Sequence, residues 1–282
     1  MKAAVISGQG AAPVYGDFPE PEPRDGCVTI DVETAGLGGW DVLGAYRLAV
    51  EYPCVLRGEG VGRAEDGRRV YFGERSIAPW GGWAERTIVP AAEVWDVPDD
   101  VDDRTAITMA IAGTGALVPL EKAAIQPGEN VLILGATGTL GQIALQLARI
   151  LGAGRVVGAS RNADALARLR ARGIADATVQ MGGDDDLAAL KATRWGARVV
   201  TVGTGAGANI NLSAGDLLFR TLTVVGTGQR PPADREQIWR RLLDMARDHA
   251  IAVDHLEYCP SSDGVDAPRR HLCAKVGVAE HL

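Results

Sequence analysis

Cysteine is scarce in this 282-residue chain: Cys27, Cys54, Cys259 and Cys273 are the full set, and none has CxxC spacing. That argues against a disulfide framework and a cysteine-built structural zinc site, and it suits a reducing compartment. Excess positive charge is also lacking. A net charge of -7 argues against nucleic acid or an anionic membrane as a partner. No run of about 18 apolar residues exists, so no membrane-spanning helix is expected. Met1 to Ser7 reads as too short for the apolar region of a signal peptide, and the expectation is a soluble, cytoplasmic protein. Histidine is confined to His249, His255, His271 and His281, solvated or core residues rather than metal ligands on this reading. There is no internal repeat, and the one biased stretch, Pro19 to Pro23, reads as an extended surface segment.

What is present is a chain that is 46% hydrophobic, able to bury a sizeable core and long enough for two domains. It is organised around Val131 to Arg149. Four apolar residues, Val131 to Leu134, run into Gly135-Ala136-Thr137-Gly138-Thr139-Leu140-Gly141. An apolar face at helical spacing follows, with Ile143, Leu147 and Ile150 flanked by Ala144 and Ala148. A buried strand, a tight glycine turn and a helix are the reading. The N–H groups of such a turn and the helix N-terminus suit a phosphate or pyrophosphate.

A second strand, Arg155 to Ala159, ends in Ser160-Arg161-Asn162, about twenty residues beyond the glycines. An acid here would bind the ribose hydroxyls of NAD, whereas Arg suits the 2′-phosphate of NADP. No carboxylate appears before Asp164. Ser160 can donate a hydrogen bond and Arg161 a charge-assisted fork, so NADPH is the preferred cofactor. A solvated Arg161 on the following helix is the bland alternative.

Earlier in the chain, Lys2 to Ser7, Cys27 to Thr34, Arg69 to Phe72 and Ala84 to Val89 carry strand patterns. Turn signals such as Arg24-Asp25-Gly26 and Asp66-Gly67 separate them. A compact all-β lobe beside a nucleotide domain is expected.

Five segments then occur in order: Met1-Lys-Ala-Ala-Val5, Thr34 to Asp41, Arg57-Gly-Glu-Gly-Val-Gly62, Gly81-Gly-Trp-Ala-Glu85 and Pro127 to Gly138. The series resembles the medium-chain dehydrogenase/reductase superfamily, in particular its zinc-free quinone oxidoreductase branch. The resemblance implies an α/β fold. A Rossmann-type parallel sheet over 116–251 would join a GroES-like β lobe over 1–115, completed by 252–282. Zinc relatives place Cys at the position of Gly38 and His at that of Gly58, no cysteine lies near 111–114, and no zinc is expected. Catalytic zinc needs about three side-chain ligands.

The resemblance also brings Tyr46 onto the active-site tyrosine of enoyl reductase relatives. A phenol there can donate to an oxygen gaining negative charge; a packed lobe tyrosine is the equal alternative. Trp40, Tyr52 and Trp80 can line an apolar pocket for a flat substrate, or simply fill a core. Asp41, beside them, reads as a turn residue rather than a base. Thr114 matches a family position near the nicotinamide. Gly203 and Thr204, after the strand Arg198 to Val202, should lie at the strand edge where ligands gather. Relatives commonly dimerise through the strand matched by Leu222 to Val225, so a homodimer is expected.

One departure stands out. The superfamily's Rossmann sheet has six strands, yet only a weak strand at Ala177 to Met181 and a helix at Asp184 to Trp195 precede Arg198 to Val202. About twenty residues of a βα unit are missing. An unfilled slot beside Val131 to Leu134 would strand backbone groups, so Arg198 to Val202 is expected to move in beside it as a parallel neighbour. A helix at Asp234 to Ala250 and strands at 252–258 and 275–278 should then return the chain to the lobe.

The expected function is NADPH-dependent reduction of a quinone or α,β-unsaturated carbonyl without zinc, with Tyr46 or water supplying the proton. Two alternatives use the same fold: a cofactor-binding relative without redox turnover, structural or regulatory, and a redox-neutral biosynthetic enzyme.

Overall fold

Period-two alternation makes strands of the first part of the chain, because successive side chains on a strand point to opposite faces. The computed structural model describes residues 1–38, 51–73, 76–182, 193–203, 214–228, 232–254, 256–258 and 273–276. In chain order come strands β1 (Lys2–Ile6), β2 (Val14–Asp17), β3 (Cys27–Leu37), β4 (Cys54–Val55), β5 (Gly60–Ala64), β6 (Arg69–Phe72), β7 (Arg86–Pro90) and β8 (Val94–Asp96). Helices α1 (Asp103–Met109) and α2 (Ile111–Ala123) follow. The chain then alternates β9 (Asn130–Leu134), α3 (Thr139–Ile150), β10 (Arg155–Ser160), α4 (Ala163–Ala171) and β11 (Ala177–Gln180). Next are β12 (Arg198–Thr201), α5 (Ala214–Arg220), β13 (Thr223–Gly226), α6 (Pro232–His249), β14 (Leu256–Tyr258) and β15 (Cys273–Val276).

The chain divides into two compact units. One takes Met1–Ile111, Pro232–Ala246 and Asp254–Leu282; the other takes Ala112–Pro231 and Arg247–Val253. In the first unit a sheet of order β14-β15-β3-β5-β6-β8, with β7 also on β3, lies beside a smaller sheet β2-β1-β4. Strand β3 serves three neighbours because its eleven residues leave room for β7 and β15 on successive stretches; its register against β5 shifts between Val32 and Thr34, an irregularity that bends a strand. One end pairs antiparallel with β7 and the other parallel with β15. Ile30, Val70, Phe72, Ile88 and Val89 have no exposed surface and form the core. Each such large side chain contributes about 1.5–3 kcal/mol by leaving water. Tyr71, Trp95 and Trp239 stack at centroid separations of 5.0 and 5.4 Å, and the Trp239 indole N–H donates to Ala106 O at 2.8 Å. Helix α6 is thereby fastened to β6 and β8.

In the second unit β11-β10-β9 form a parallel sheet, and β12 and β13 form a separate parallel pair. Helix α3 buries Ile143, Leu145 and Leu147 completely, and Leu145 reaches Gly158 on β10. Two side chains tie the β12–β13 pair to the rest of the unit. Arg198 donates to Ala123 O and the Glu129 carboxylate, and Lys122 Nζ donates to Gly226 O at 3.1 Å.

The expected pairing of Arg198 to Val202 with Val131 to Leu134 is therefore wrong. Among the described residues β9 pairs only with β10, and β12 pairs with β13. The expectation treated the open edge of β9 as buried, where unpaired N–H and C=O groups are costly. It is not buried: Leu132 and Leu134 are 40% and 46% exposed. Water can serve an edge at the surface, and the penalty that was to pull β12 inward is absent. Most of the helix expected at 184–195 lies outside the described residues. Of the described residues in the strand expected from 252, only Leu256–Tyr258 form one.

Candidate functional site

The site is built where β9 hands over to α3. Gly135 takes φ +72°, a conformation that L side chains resist. The next residue, Ala136, is fully buried, and its N–H donates to Ala159 O at 3.0 Å. The turn closes with Gly138 N on Gly135 O at 3.2 Å. At Gly141 a Cβ would stand 2.2 Å from Gly135 O and 2.7 Å from Ala136 Cα, so only glycine lets the helix pack against the turn. No side chain would meet anything within 4 Å at Gly135, which leaves the outer side of the turn open.

Helix α3 starts differently from α1 and α4. Asp102 accepts from Arg104 N and Thr105 N at the start of α1, and Asn162 accepts from Ala165 N at the start of α4. Helix α3 starts at Gly138 with no side-chain cap. Its first-turn N–H groups and the positive end of its dipole are available to an anion.

At the end of β10, Ser160 Oγ lies 2.7 Å from Thr137 Oγ1, and either hydroxyl can donate. Arg161 is exposed, and Asn162 spends its side-chain oxygen on the α4 cap. Thus Gly135, Ala136, Thr137, Gly138, Thr139, Leu140, Gly141 and Ser160 form one constellation, with Arg161 and Asn162 next in the chain. Thr114 sits on α2. The neighbouring Gly115 would put a Cβ 2.8 Å from Leu140 Cδ1, so α2 lies against the start of α3. Gly203 is exposed, two residues after β12, which is in a different sheet from β9. Without the β9–β12 pairing it is not drawn in beside Gly135 to Gly141.

Trp40, Asp41, Tyr46 and Thr204 lie outside the described residues. Trp80 is 8% exposed; its indole N–H donates to Pro19 O at 3.1 Å and the Arg24 guanidinium sits 5.3 Å above the ring. Half-buried Tyr52 packs against the same core.

Sequence reasoning missed the polar struts. Gln142 is 4% exposed, and its amide donates to Thr137 O at 3.0 Å, bracing the turn. One helical turn on, the Gln146 amide donates to Ala252 O at 2.9 Å and accepts from Ala252 N at 3.0 Å, holding the chain after α6 as a neighbouring strand would. Two glutamines four apart on an otherwise apolar helix face were the available signal. In the β-rich unit the buried Glu59 carboxylate accepts from Tyr71 Oη at 2.8 Å and from Ile111 N at 3.3 Å.

No family model matches the chain. It is 27% identical over 233 residues to a quinone oxidoreductase-like protein 2 homolog of Nematostella vectensis, covering 71% of this chain and 64% of that protein. It is 29% identical over 207 residues to the acrylyl-CoA reductase AcuI of Ruegeria pomeroyi, covering 64% and 61%. The chain thus spans less than two thirds of either curated relative. The solved quinone oxidoreductase of Thermus thermophilus superposes with a TM-score of 0.65 at 29% identity, over 86% of this chain and 85% of that one. The chain is thus similar to members of the medium-chain dehydrogenase/reductase superfamily. The superfamily's architecture accounts for both units: the β-rich unit is a GroES-like lobe and the second a Rossmann-type unit.

Zinc fits poorly at the position where members of the superfamily with that metal carry histidine. Gly58 has φ +142°, and a Cβ there would stand 2.7 Å from Gly36 O and 2.9 Å from the Trp83 indole. That indole is itself fixed, donating to Gly36 O at 3.1 Å. Among the described residues no three His, Cys, Asp or Glu side chains form a metal-binding group. No helix among them is long and apolar enough to cross a membrane.

Proposed function

We propose that the protein is an NADPH-dependent oxidoreductase that reduces a quinone or an α,β-unsaturated carbonyl without zinc. The observation that carries this reading is the uncapped start of α3 beside a hydroxyl pair, with Arg161 next to it and no carboxylate. That donor set fits a pyrophosphate at the helix and a phosphate monoester at the end of β10. The Thermus thermophilus quinone oxidoreductase was solved in complex with NADPH, and the other two relatives are named a quinone oxidoreductase-like protein and an acrylyl-CoA reductase. NADPH, when bound, supplies the hydride.

The chain's own residues bind, orient and donate. The N–H groups of the turn and of α3 hold the pyrophosphate, Gln142 keeps the turn in shape, and Ser160 with Arg161 read the 2′-phosphate. Tyr46 is assigned as the phenol that donates to the substrate oxygen, with Trp40 and Tyr52 as pocket residues. Crowding at Gly58 supports an active site that works without a metal. The same reading takes the protein as a cytoplasmic homodimer acting on a small molecule. A second reading, cofactor binding without redox turnover, draws support from the separation of β12 and β13 from β9, which removes the sheet continuity behind the far end of a dinucleotide.

One experiment separates the two. NADPH consumption is followed with a panel of quinones and enones, with and without a chelator, alongside NADPH and NADH titrations of wild type and Arg161→Ala. Consumption that survives chelation is expected. Arg161→Ala should weaken NADPH by about ten- to a hundredfold, roughly 1.5–3 kcal/mol, and spare NADH. NADPH binding with no consumption across the panel would establish the second reading; equal weakening of both cofactors would show that Arg161 does not read the phosphate.

A further inference from the structure

We infer that Thr137 sets the preference for a dinucleotide bearing a phosphate monoester on its adenosine ribose, by fixing the Ser160 hydroxyl as a donor toward that phosphate. This deepens, and rests on, the cofactor reading above. Thr137 belongs to the glycine turn and Ser160 ends β10, yet their hydroxyl oxygens are 2.7 Å apart. Both backbones are held. Ser160 pairs with Gln180 in the ladder and its carbonyl accepts from Met181 N at 2.9 Å. Thr137 O is gripped by the Gln142 amide at 3.0 Å, and the residue before it is locked to β10 through Ala136 N on Ala159 O. Only the hydroxyl hydrogens remain to be arranged.

Two hydroxyls carry two hydrogens, and the short contact between them uses one. When Thr137 donates, a lone pair of Ser160 is occupied and the Ser160 hydrogen is left to point outward. A group in that state gives a hydrogen bond better than it takes one. The hydroxyls of an unphosphorylated ribose call for an acceptor, the role an acid fills in NAD sites. A phosphate monoester offers only acceptor oxygens and negative charge, which a donor backed by the Arg161 guanidinium suits. Thr137 touches no part of the phosphate on this account; it is a positioning residue that works through Ser160.

The test measures dissociation constants for NADPH and NADH by nicotinamide fluorescence titration. The proteins are wild type, Thr137→Val, Thr137→Ser, Ser160→Ala and the Thr137→Val/Ser160→Ala double variant. Valine keeps the shape of threonine and removes the hydroxyl; serine keeps the hydroxyl. Thr137→Val should weaken NADPH about five- to tenfold and NADH less than about twofold, and Thr137→Ser should bind NADPH as wild type does. In the Ser160→Ala background Thr137→Val should add nothing, since the two act as one unit. Equal weakening of both cofactors would mean that Thr137 only shapes the turn, and a full additive loss in the double variant would mean that it does not act through Ser160; either overturns the inference. Tight, selective NADPH binding that Thr137→Val leaves untouched overturns it while the cofactor reading stands. A wild type that binds no NADPH overturns both.

Discussion

The two halves of the Rossmann-type unit were built by the same chemistry to different degrees of completion. From β9 to β11 each strand is followed by a helix or paired on its ladder, and Ala136, Ile143, Leu145, Leu147, Val156 and Leu169 are at most 1% exposed. From Trp195 to Gly228 none of the described residues is buried. Trp195, Leu218 and Phe219 are 77%, 72% and 79% exposed, and the β12–β13 pair hangs on a few side-chain bonds. The difference teaches where a parallel sheet gets its stability. A βα unit contributes mainly by covering a face of its neighbours, and removing one uncovers residues on both sides of the gap.

The sharpest way to break this comparison is one added methyl on each half. Gly141→Ala drives a Cβ to 2.2 Å from Gly135 O and should destabilise the protein by about 2–3 kcal/mol, whereas Gly203→Ala meets nothing within 4 Å and should change stability by less than about 0.5 kcal/mol. Urea melts that return equal losses would erase the distinction. Asp176 comes next. Its carboxylate accepts from Val156 N at 2.7 Å and pairs with Arg149 at 2.9 Å, and these two contacts, the backbone one first, hold it below the usual carboxylate range. Because its folded value is depressed, the contribution is present above the unfolded value, about 4, and is lost as pH falls through the folded one. Asp176→Asn should cost about 1 kcal/mol at neutral pH, modest because the pair is solvated, and the gap to wild type should close in acid. A gap that persists unchanged into acid, below the folded value, would assign the loss to packing instead. The smallest effect belongs to the second half. Phe219→Ser should shift stability by under about 0.5 kcal/mol. A loss above about 1 kcal/mol that grows with protein concentration would mean that α5 is covered in an assembly.

Local signals explain what could be read in advance. The strand, glycine turn and helix at 131–149 follow from residues adjacent in the chain, as do the strands at 2–6, 69–72 and 155–160. The caps at Asp102 and Asn162 are equally local, as is the helix anticipated after Arg161. Neighbour choice in a sheet is not local: nothing in Arg198 to Val202 says whether β9 or β13 will be its partner. The error at β9 was one of environment, since the same edge costs much in a core and little in water. At the site, the turn and Ser160 were legible from spacing, but the bond between Thr137 and Ser160 depends on how the turn stands against β10.

The sheet order of the β-rich unit also fixes a calendar for its assembly. Strand β3 finds its parallel partner in β15, with Thr34 opposite Cys273. The β9–β11 sheet closes over neighbours joined by single helices and is ready once residue 182 has left the ribosome. Elements made first are therefore finished last: the lobe must hold the Thr34 to Leu37 stretch of β3 without its parallel partner until Cys273 to Val276 have been made, while the glycine turn takes shape in the interval.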